Sequence, residues 1–202
     1  MIDKEILGAA AALLGVVGFV PYLRSIYRRE TKPHVFSWVP WFITTAVACA
    51  GQVAENGGAG AWATATSAVF SFVIMVIALF RGERNITRAD WVSFLLALAT
   101  IPLWVVTEDP LASVILATMI NLSAAFPTLR KSWSKPYEED MAMYAVLSVR
   151  SALSLAALEN VAVVTALFPF CQFVSNAAIS ATLFGRRWAG RRRLPLRGSK
   201  GG

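Results

Sequence analysis

Charged residues are scarce in this chain of 202 residues, and those present occur in clusters. Asp, Glu, Lys and Arg make up 15% of the sequence, whereas a soluble globular domain carries about 25%, spread over its surface. Hydrophobic residues reach 56% and leave long intervals with few charges or none. Because a bilayer span needs about 20 mostly apolar residues, the sequence predicts a polytopic membrane protein with seven candidate spans rather than a soluble globule.

Residues typical of metal centres and of redox chemistry are also few. The two cysteines, Cys49 and Cys171, lie in apolar segments without neighbours at zinc-ligand spacing, where a small buried thiol is the usual role. The single histidine, His34, lies at the edge of a predicted span, and no pair of acids falls within a span. We therefore expect no metal, no cofactor and no enzymatic activity.

The chain lacks the residues that other membrane-protein classes require. No lysine lies between Lys135 and Lys200, which excludes a receptor of the retinal type, since that class needs a lysine in its last helix. No nucleotide-binding loop occurs, so transport driven by ATP is not expected. The acidic N-terminus lacks the basic region and cleavage site of a signal peptide, and we expect the first span to remain in the mature protein.

One short sequence occurs twice. Residues 19–24 read FVPYLR and residues 125–130 read AFPTLR, which places Pro127 opposite Pro21 at an offset of 106. At an offset of 104 the agreement continues, with Glu55-Asn56 opposite Glu159-Asn160 and Ser71 opposite Ser175. Self-similarity of this kind indicates a duplicated unit.

The predicted fold is an all-α membrane protein with seven transmembrane helices in a 3+1+3 arrangement of two parallel three-helix-bundle repeats. The repeats cover residues 1–86 and 110–185, a linker helix covers 87–109, and a basic tail, expected to be disordered, covers 186–202. The expected helices cover residues 6–23, 35–53, 60–80, 91–106, 111–129, 141–158 and 161–184.

Basic residues alternate between the predicted loops. Loops 24–34, 81–90 and 130–140 and the tail carry nearly all of them, whereas the three intervening loops contain no Lys or Arg. The positive-inside rule then places the N-terminus outside and the C-terminus in the cytoplasm, and we expect the plasma (inner) membrane. This topology, with attraction to anionic lipid headgroups, explains the net charge of +7 without nucleic acid.

The 3+1+3 layout with a proline-centred repeat resembles the SWEET and PQ-loop transporter superfamily. The family signature Pro-Gln reads Pro-Tyr at position 21 and Pro-Thr at position 127 here. The resemblance implies hinge prolines at Pro21, Pro40 and Pro127, whereas the fourth hinge position falls near Tyr144. The family's pocket tryptophans fall near positions 55 and 159, and Asn176 approaches one of its pocket asparagines.

The resemblance implies transport of a small polar solute by alternating access between the two bundles, with a sugar as the first expectation. An amino acid or organic acid is the second expectation, with proton coupling through Glu55 and Glu159 together with Arg150. A seven-helix cargo or sorting receptor of the same fold is the third. Membrane lipids are expected partners, and association into a homo-oligomer is left open.

Polar side chains recur along single faces of the predicted helices, and polar groups inside a membrane usually face the bundle interior. Such groups could bind a polar solute at mid-depth, although Ser and Thr also bond their own helix backbone. The candidate binding residues on these faces are Trp41, Ser71, Asn121, Gln172, Ser175 and Asn176.

Arg150 lies in the middle of the sixth helix, where an arginine costs at least about 2.5 kcal/mol. It could bind an anionic group of the solute, pair with Glu55 or Glu159, or tie helices together through backbone carbonyls. The two glutamates could also serve as caps at the helix turn. On an ideal helix Arg150 points about 120° away from Tyr144 and still further from Ser148, so we do not expect all three in one pocket.

Overall fold

The computed structural model describes residues 3–29, 33–82, 88–134, 136–137 and 141–192, and this part of the chain is all-α. One short 3-10 turn (Gly58–Gly60) precedes the third helix. The seven helices are α1 (Lys4–Tyr27), α2 (Val35–Ala54), α3 (Ala61–Arg81), α4 (Arg88–Thr107), α5 (Pro110–Ser134), α6 (Met141–Ala156) and α7 (Val163–Arg192). The prediction of an all-α chain with seven helices is confirmed for the described residues.

The expected end of the last helix is wrong, because α7 continues past position 184 to Arg192. The Nε atoms of Arg186 and Arg187 donate hydrogen bonds to the carbonyls of Trp133 (3.0 Å) and Pro136 (2.8 Å). Their guanidinium groups also lie over the rings of Trp133 and Tyr137. These contacts fix a segment that the sequence assigned to a disordered tail; positions 193–202 lie outside the described residues.

Among the described residues, four helices are long and apolar enough to cross a membrane, which suggests an integral membrane protein. Large apolar side chains, among them Leu13, Val69 and Val105, are exposed on the outside of the bundle, as expected for a surface that faces lipid. The shorter stretches Phe94–Thr107 and Met141–Ala156 are also apolar. The four candidate spans are Lys4–Arg24, Gly58–Arg81, Pro110–Ser134 and Val163–Ala189.

We call α1–α3 the first half of the bundle and α5–α7 the second half. In the first half α3 packs against α1 and α2, and in the second half α7 packs against α5 and α6. The halves meet where α1 packs against α6 and α2 packs against α5. Helix α4 packs against α2 and α5, where Ile43, Val47, Ala97, Ala117 and Ile120 form a buried apolar cluster.

The bundle has two ends that differ in chemistry. The turn end holds the short connections α2–α3 (residues 55–60) and α6–α7 (residues 157–162). The basic end is the opposite one, where α1, α3 and α7 terminate in segments rich in arginine. The side chain of Lys4, at the start of α1, reaches the Leu158 carbonyl and so places that start at the turn end.

Candidate functional site

A cavity of about 310 Å³ lies between the two halves. Its walls come from α1, α2 and α3 of the first half and from α5, α6 and α7 of the second. The cavity reaches from mid-depth at Arg150 to Trp38 and Met143, which lie within one turn of the starts of α2 and α6. It therefore extends toward the basic end.

Seven of the nine predicted substrate-binding residues line this one cavity. They come from five different helices, so their proximity depends on tertiary packing. Their proposed role in binding stays a prediction. The seven are Trp41, Ser71, Asn121, Arg150, Gln172, Ser175 and Asn176.

Several of the polar side chains make hydrogen bonds to the backbone of their own helices, which is the alternative to solute binding given above. The Ser175 hydroxyl and the Asn176 amide both donate to the Gln172 carbonyl, at 3.2 and 2.8 Å. The Asn121 amide also links the halves, because its Nδ2 donates to Thr44 Oγ1 at 2.6 Å as well as to the Ala117 carbonyl of its own helix at 3.3 Å. The amide of Gln172 makes no hydrogen bond within the described part of the chain. Gln172 is therefore the lining amide best placed to meet a solute.

Arg150 reaches across the cavity from the second half to the first. Its Nη2 donates to Ser67 Oγ at 2.8 Å and to the Ala63 carbonyl, both on α3. Its guanidinium lies against Gly15 of α1, where an added Cβ atom would come within 2.8 Å of Nε. Nε is buried and has no hydrogen-bond partner. The arginine thus contacts α1 and α3, and within the described residues neither Nε nor Nη1 has a hydrogen-bond partner.

Of the three α6 residues that were not all expected in one pocket, Tyr144 and Arg150 line the cavity and Ser148 does not. Met143, Leu147 and Ser151 also line the cavity, and with Arg150 they follow the spacing of a single helix face. Tyr144 and Arg150 lie at the two edges of that face, about 120° apart. The cavity wall on α6 is wide enough for both side chains.

Glu55 and Glu159 lie at the turn end, outside the cavity lining. Within the described residues Arg150 bonds Ala63 and Ser67, so neither glutamate pairs with it. Glu55 is the C-cap of α2, and its carbonyl accepts a bond from the Asn160 amide at 2.8 Å. Glu159 packs against Gly58, whose φ of +59° suits a residue without Cβ.

The turn end is closed by hydrogen bonds between the halves. Ser154 Oγ donates to the Gly60 carbonyl at 2.7 Å, and the Glu159 amide donates to the Gly57 carbonyl at 3.1 Å. Lys4 Nζ donates to the Leu158 carbonyl at 2.7 Å. Together with the Asn160–Glu55 bond, these contacts hold the two short connections against each other.

The buried side-chain amide of Gln52 links the two halves one turn deeper from the same end. Pro169 in α7 has no N–H, so the Thr165 carbonyl loses its helical partner. Gln52 Nε2, from α2 of the other half, donates to that carbonyl at 2.9 Å. Gln52 and Thr165 are both fully buried, and the bond therefore satisfies a carbonyl that no water reaches.

A second, much smaller space of about 20 Å³ lies next to Arg150 on the side of the turn end. Thr64, Ser151, Ser154 and Gln172 contribute to its lining, and its size suits about one water molecule. Sequence reasoning missed Ser151 and Ser154, although they lie one and four residues after Arg150. It also missed Gly15, which makes room for the guanidinium and had the pattern of an ordinary packing glycine.

A scan against protein-family models, a search of curated proteins and a search of solved structures each gave no match. The described part of the chain is all-helical with several long apolar helices, and its resemblance to the SWEET and PQ-loop superfamily stays a prediction. Within the described residues, no group of three or more His, Cys, Asp or Glu side chains is placed to hold a metal ion.

Proposed function

We propose that this protein is a membrane transporter that moves a small polar solute by alternating access between its two halves. The cavity between the halves carries the proposal, since polar residues from both halves line it, hydrogen bonds close it at the turn end, and it extends toward the basic end. A carrier needs a site of this kind, because the solute must be exposed to one side of the membrane at a time.

We also propose that the halves are two parallel repeats joined by α4. The packing scheme supports this, because α3 relates to α1 and α2 as α7 relates to α5 and α6. The contacts between the halves have the same symmetry. If α1, α2 and α3 are exchanged with α5, α6 and α7 in that order, the α1–α6 contact becomes the α5–α2 contact, which is also present. Rocking of one repeat against the other is the motion that such a pair would use.

The proposed topology has all seven helices in the plasma (inner) membrane, with the turn end outside and the basic end in the cytoplasm. The basic clusters at the ends of α1, α3 and α7 support this orientation. Single cysteines introduced at Asn56 and Glu108 should react with an impermeant thiol reagent from outside. A cysteine at Ser134 should react only from inside, and the opposite pattern would reverse the orientation.

The proposed hinges are Pro21, Pro40 and Pro127. Pro21 and Pro40 lie inside α1 and α2, and α5 continues through position 127. A proline within a helix removes one backbone hydrogen bond and weakens the helix locally. Bending at these positions would let the cavity close at the basic end while the turn end opens.

A sugar is the solute that the sequence resemblance implies, and an amino acid or organic acid is the second candidate. The polar residues and the aromatic side chains of Trp38 and Trp41 in the lining suit either class. Coupling to protons through Glu55 and Glu159 would have to act on closure of the turn end, where both lie. A cargo receptor of the same fold would bind a ligand without moving it.

Flux measurements test the proposal. The purified chain, reconstituted in liposomes without ATP, is expected to accelerate uptake of at least one labelled solute from a panel of sugars, amino acids and organic acids. Protein-free liposomes and heat-treated protein are the controls. Binding in a thermal-shift screen without flux of any bound solute would favour the receptor.

A further inference from the structure

We propose that the solute held in the cavity is a small monocarboxylate and that Arg150 binds its carboxylate group. The inference rests on the proposed transport function and adds the chemical class of the solute. It starts from the charge of the site, because Arg150 is the one charged side chain among the described residues that line the cavity. A single buried cation in a membrane protein is costly unless an anion or several acceptors compensate it.

The hydrogen bonds of Arg150 leave this compensation incomplete. A guanidinium has five N–H donors, and the described bonds, to the Ala63 carbonyl and to Ser67, both use Nη2. Nε is buried against Gly15 of α1, so Nη1, which makes no hydrogen bond to the described residues, is the nitrogen left to meet a solute. A carboxylate that accepts a charge-assisted bond from Nη1 also cancels the charge of the guanidinium, which two neutral acceptors on α3 cannot do.

The remaining lining favours a monoanion over a zwitterion. The described lining contains no Asp or Glu that could bind an ammonium group. Its other polar groups are neutral amides and hydroxyls, including Gln172, Ser151 and Asn176, which suit the hydroxyl or keto group of a small acid. The volume of about 310 Å³ lies at the lower end of the range for small-molecule sites, about 300–1,000 Å³.

A purely structural arginine would account for the bonds to α3 but makes a different prediction about selectivity. It would hold α6 against α3 in every solute complex, so its loss would lower stability without changing which solutes compete with one another. A solute-binding arginine decides between charged and neutral solutes. Charge selectivity is therefore the quantity to measure.

The experiment uses the full chain in liposomes at pH 7.5, with labelled lactate and labelled glucose as probes. Uptake is measured for the wild type, Arg150→Met and Arg150→Lys, against protein-free liposomes. Gly185→Ala is the control for expression and reconstitution, since no neighbour lies within 4 Å of the added Cβ. Pyruvate, alanine, succinate, inorganic phosphate and glucose serve as unlabelled competitors of lactate uptake.

We expect the wild type to take up lactate. Pyruvate should compete with this uptake at a concentration at least about tenfold lower than the concentration at which glucose or alanine competes. Arg150→Met should raise the KM for lactate at least about tenfold, as expected for loss of a charge-assisted hydrogen bond. Arg150→Lys should recover part of this loss, because an ammonium group keeps the charge but lacks the planar guanidinium that can bond α3 and a solute at once.

Each contrary result has a distinct meaning. Glucose uptake without lactate preference, or a preference that survives in Arg150→Met, overturns the inference and leaves the transport proposal standing. Phosphate as the strongest competitor overturns the carboxylate assignment. If no solute moves in the wild type, the transport proposal fails and the inference with it. If Arg150→Met does not fold, the wild-type competition series and Arg150→Lys decide the question.

Discussion

The two halves pack closely at the turn end of the bundle and are held apart toward the basic end. At the turn end the halves touch through glycines, and a Cβ on Gly51 or Gly60 would come within 2.7 Å of a Val114 methyl group or 2.5 Å of Leu158 Cδ2. Toward the basic end, large side chains such as Trp38 and Tyr144 stand between the halves and line the cavity. Small residues permit close backbone contact, and aromatic residues prevent it.

This difference explains why the cavity extends toward one end. Backbone carbonyls at the turn end lie close enough to accept bonds from the opposite half, as Gly60 and Thr165 do from Ser154 and Gln52. We therefore expect added volume to be harmful at the turn end and tolerated at the basic end. Four substitutions test this comparison, in order of the expected change in the free energy of unfolding.

Gly60→Ala should have the largest effect. Its Cβ would lie 2.5 Å from Leu158 Cδ2 and 2.8 Å from the Ser154 carbonyl, and overpacking of this kind costs about 1–3 kcal/mol. Thermal unfolding in detergent measures the loss. Gly185→Ala is the matched control and should be neutral or stabilising, because its Cβ meets no neighbour and alanine favours a helix. Equal effects of the two variants would contradict the contrast between the ends.

Gln52→Met should lower the free energy of unfolding by about 1 kcal/mol. It leaves the buried Thr165 carbonyl without a donor, although it also removes Gln52 Oε1, a buried acceptor without a partner.

A double-mutant cycle with Pro169→Ala sharpens this prediction. Alanine at position 169 provides the N–H that the Thr165 carbonyl lacks, so Gln52→Met should cost about 1 kcal/mol less in that background. Additive effects of the two substitutions on the free energy of unfolding would show that Gln52 does not replace the missing helical bond.

Asn160→Ala should cost only about 0.5 kcal/mol. The residue is exposed, and water can replace its bond to the Glu55 carbonyl. The same unfolding measurement checks the value. A loss as large as that of Gly60→Ala would mean that the hydrogen bonds of the short connections, rather than close packing, hold the turn end together.

Ala125→Phe should have the smallest effect on stability, less than about 0.5 kcal/mol. Ala125 lines the cavity on the side of the basic end, where a ring can occupy open space. The substitution should nevertheless reduce solute uptake in liposomes, because it fills volume that a solute would use. Strong destabilisation would show that the halves pack as tightly here as they do at the turn end.

The sequence by itself determined the helices, because the information is local. Apolar stretches of spanning length, separated by basic clusters or by short turns such as Glu55-Asn56, predicted seven helices whose starts agree with the structure within a few residues. Polar stripes along single helices likewise identified six residues that line one cavity, and the charge in the middle of a span identified the seventh, Arg150. Helical periodicity carries both signals, and it is readable without any knowledge of neighbours.

The tertiary structure alone decided how these faces are used. The extension of α7 depends on Arg186 and Arg187 reaching Trp133 and Pro136, which lie about fifty positions earlier in the chain. The partners of Arg150 depend on which face α3 turns toward α6 and on the space left by Gly15. These features are contacts between segments that lie far apart in the sequence, and the periodicity of a single helix carries no information about such contacts.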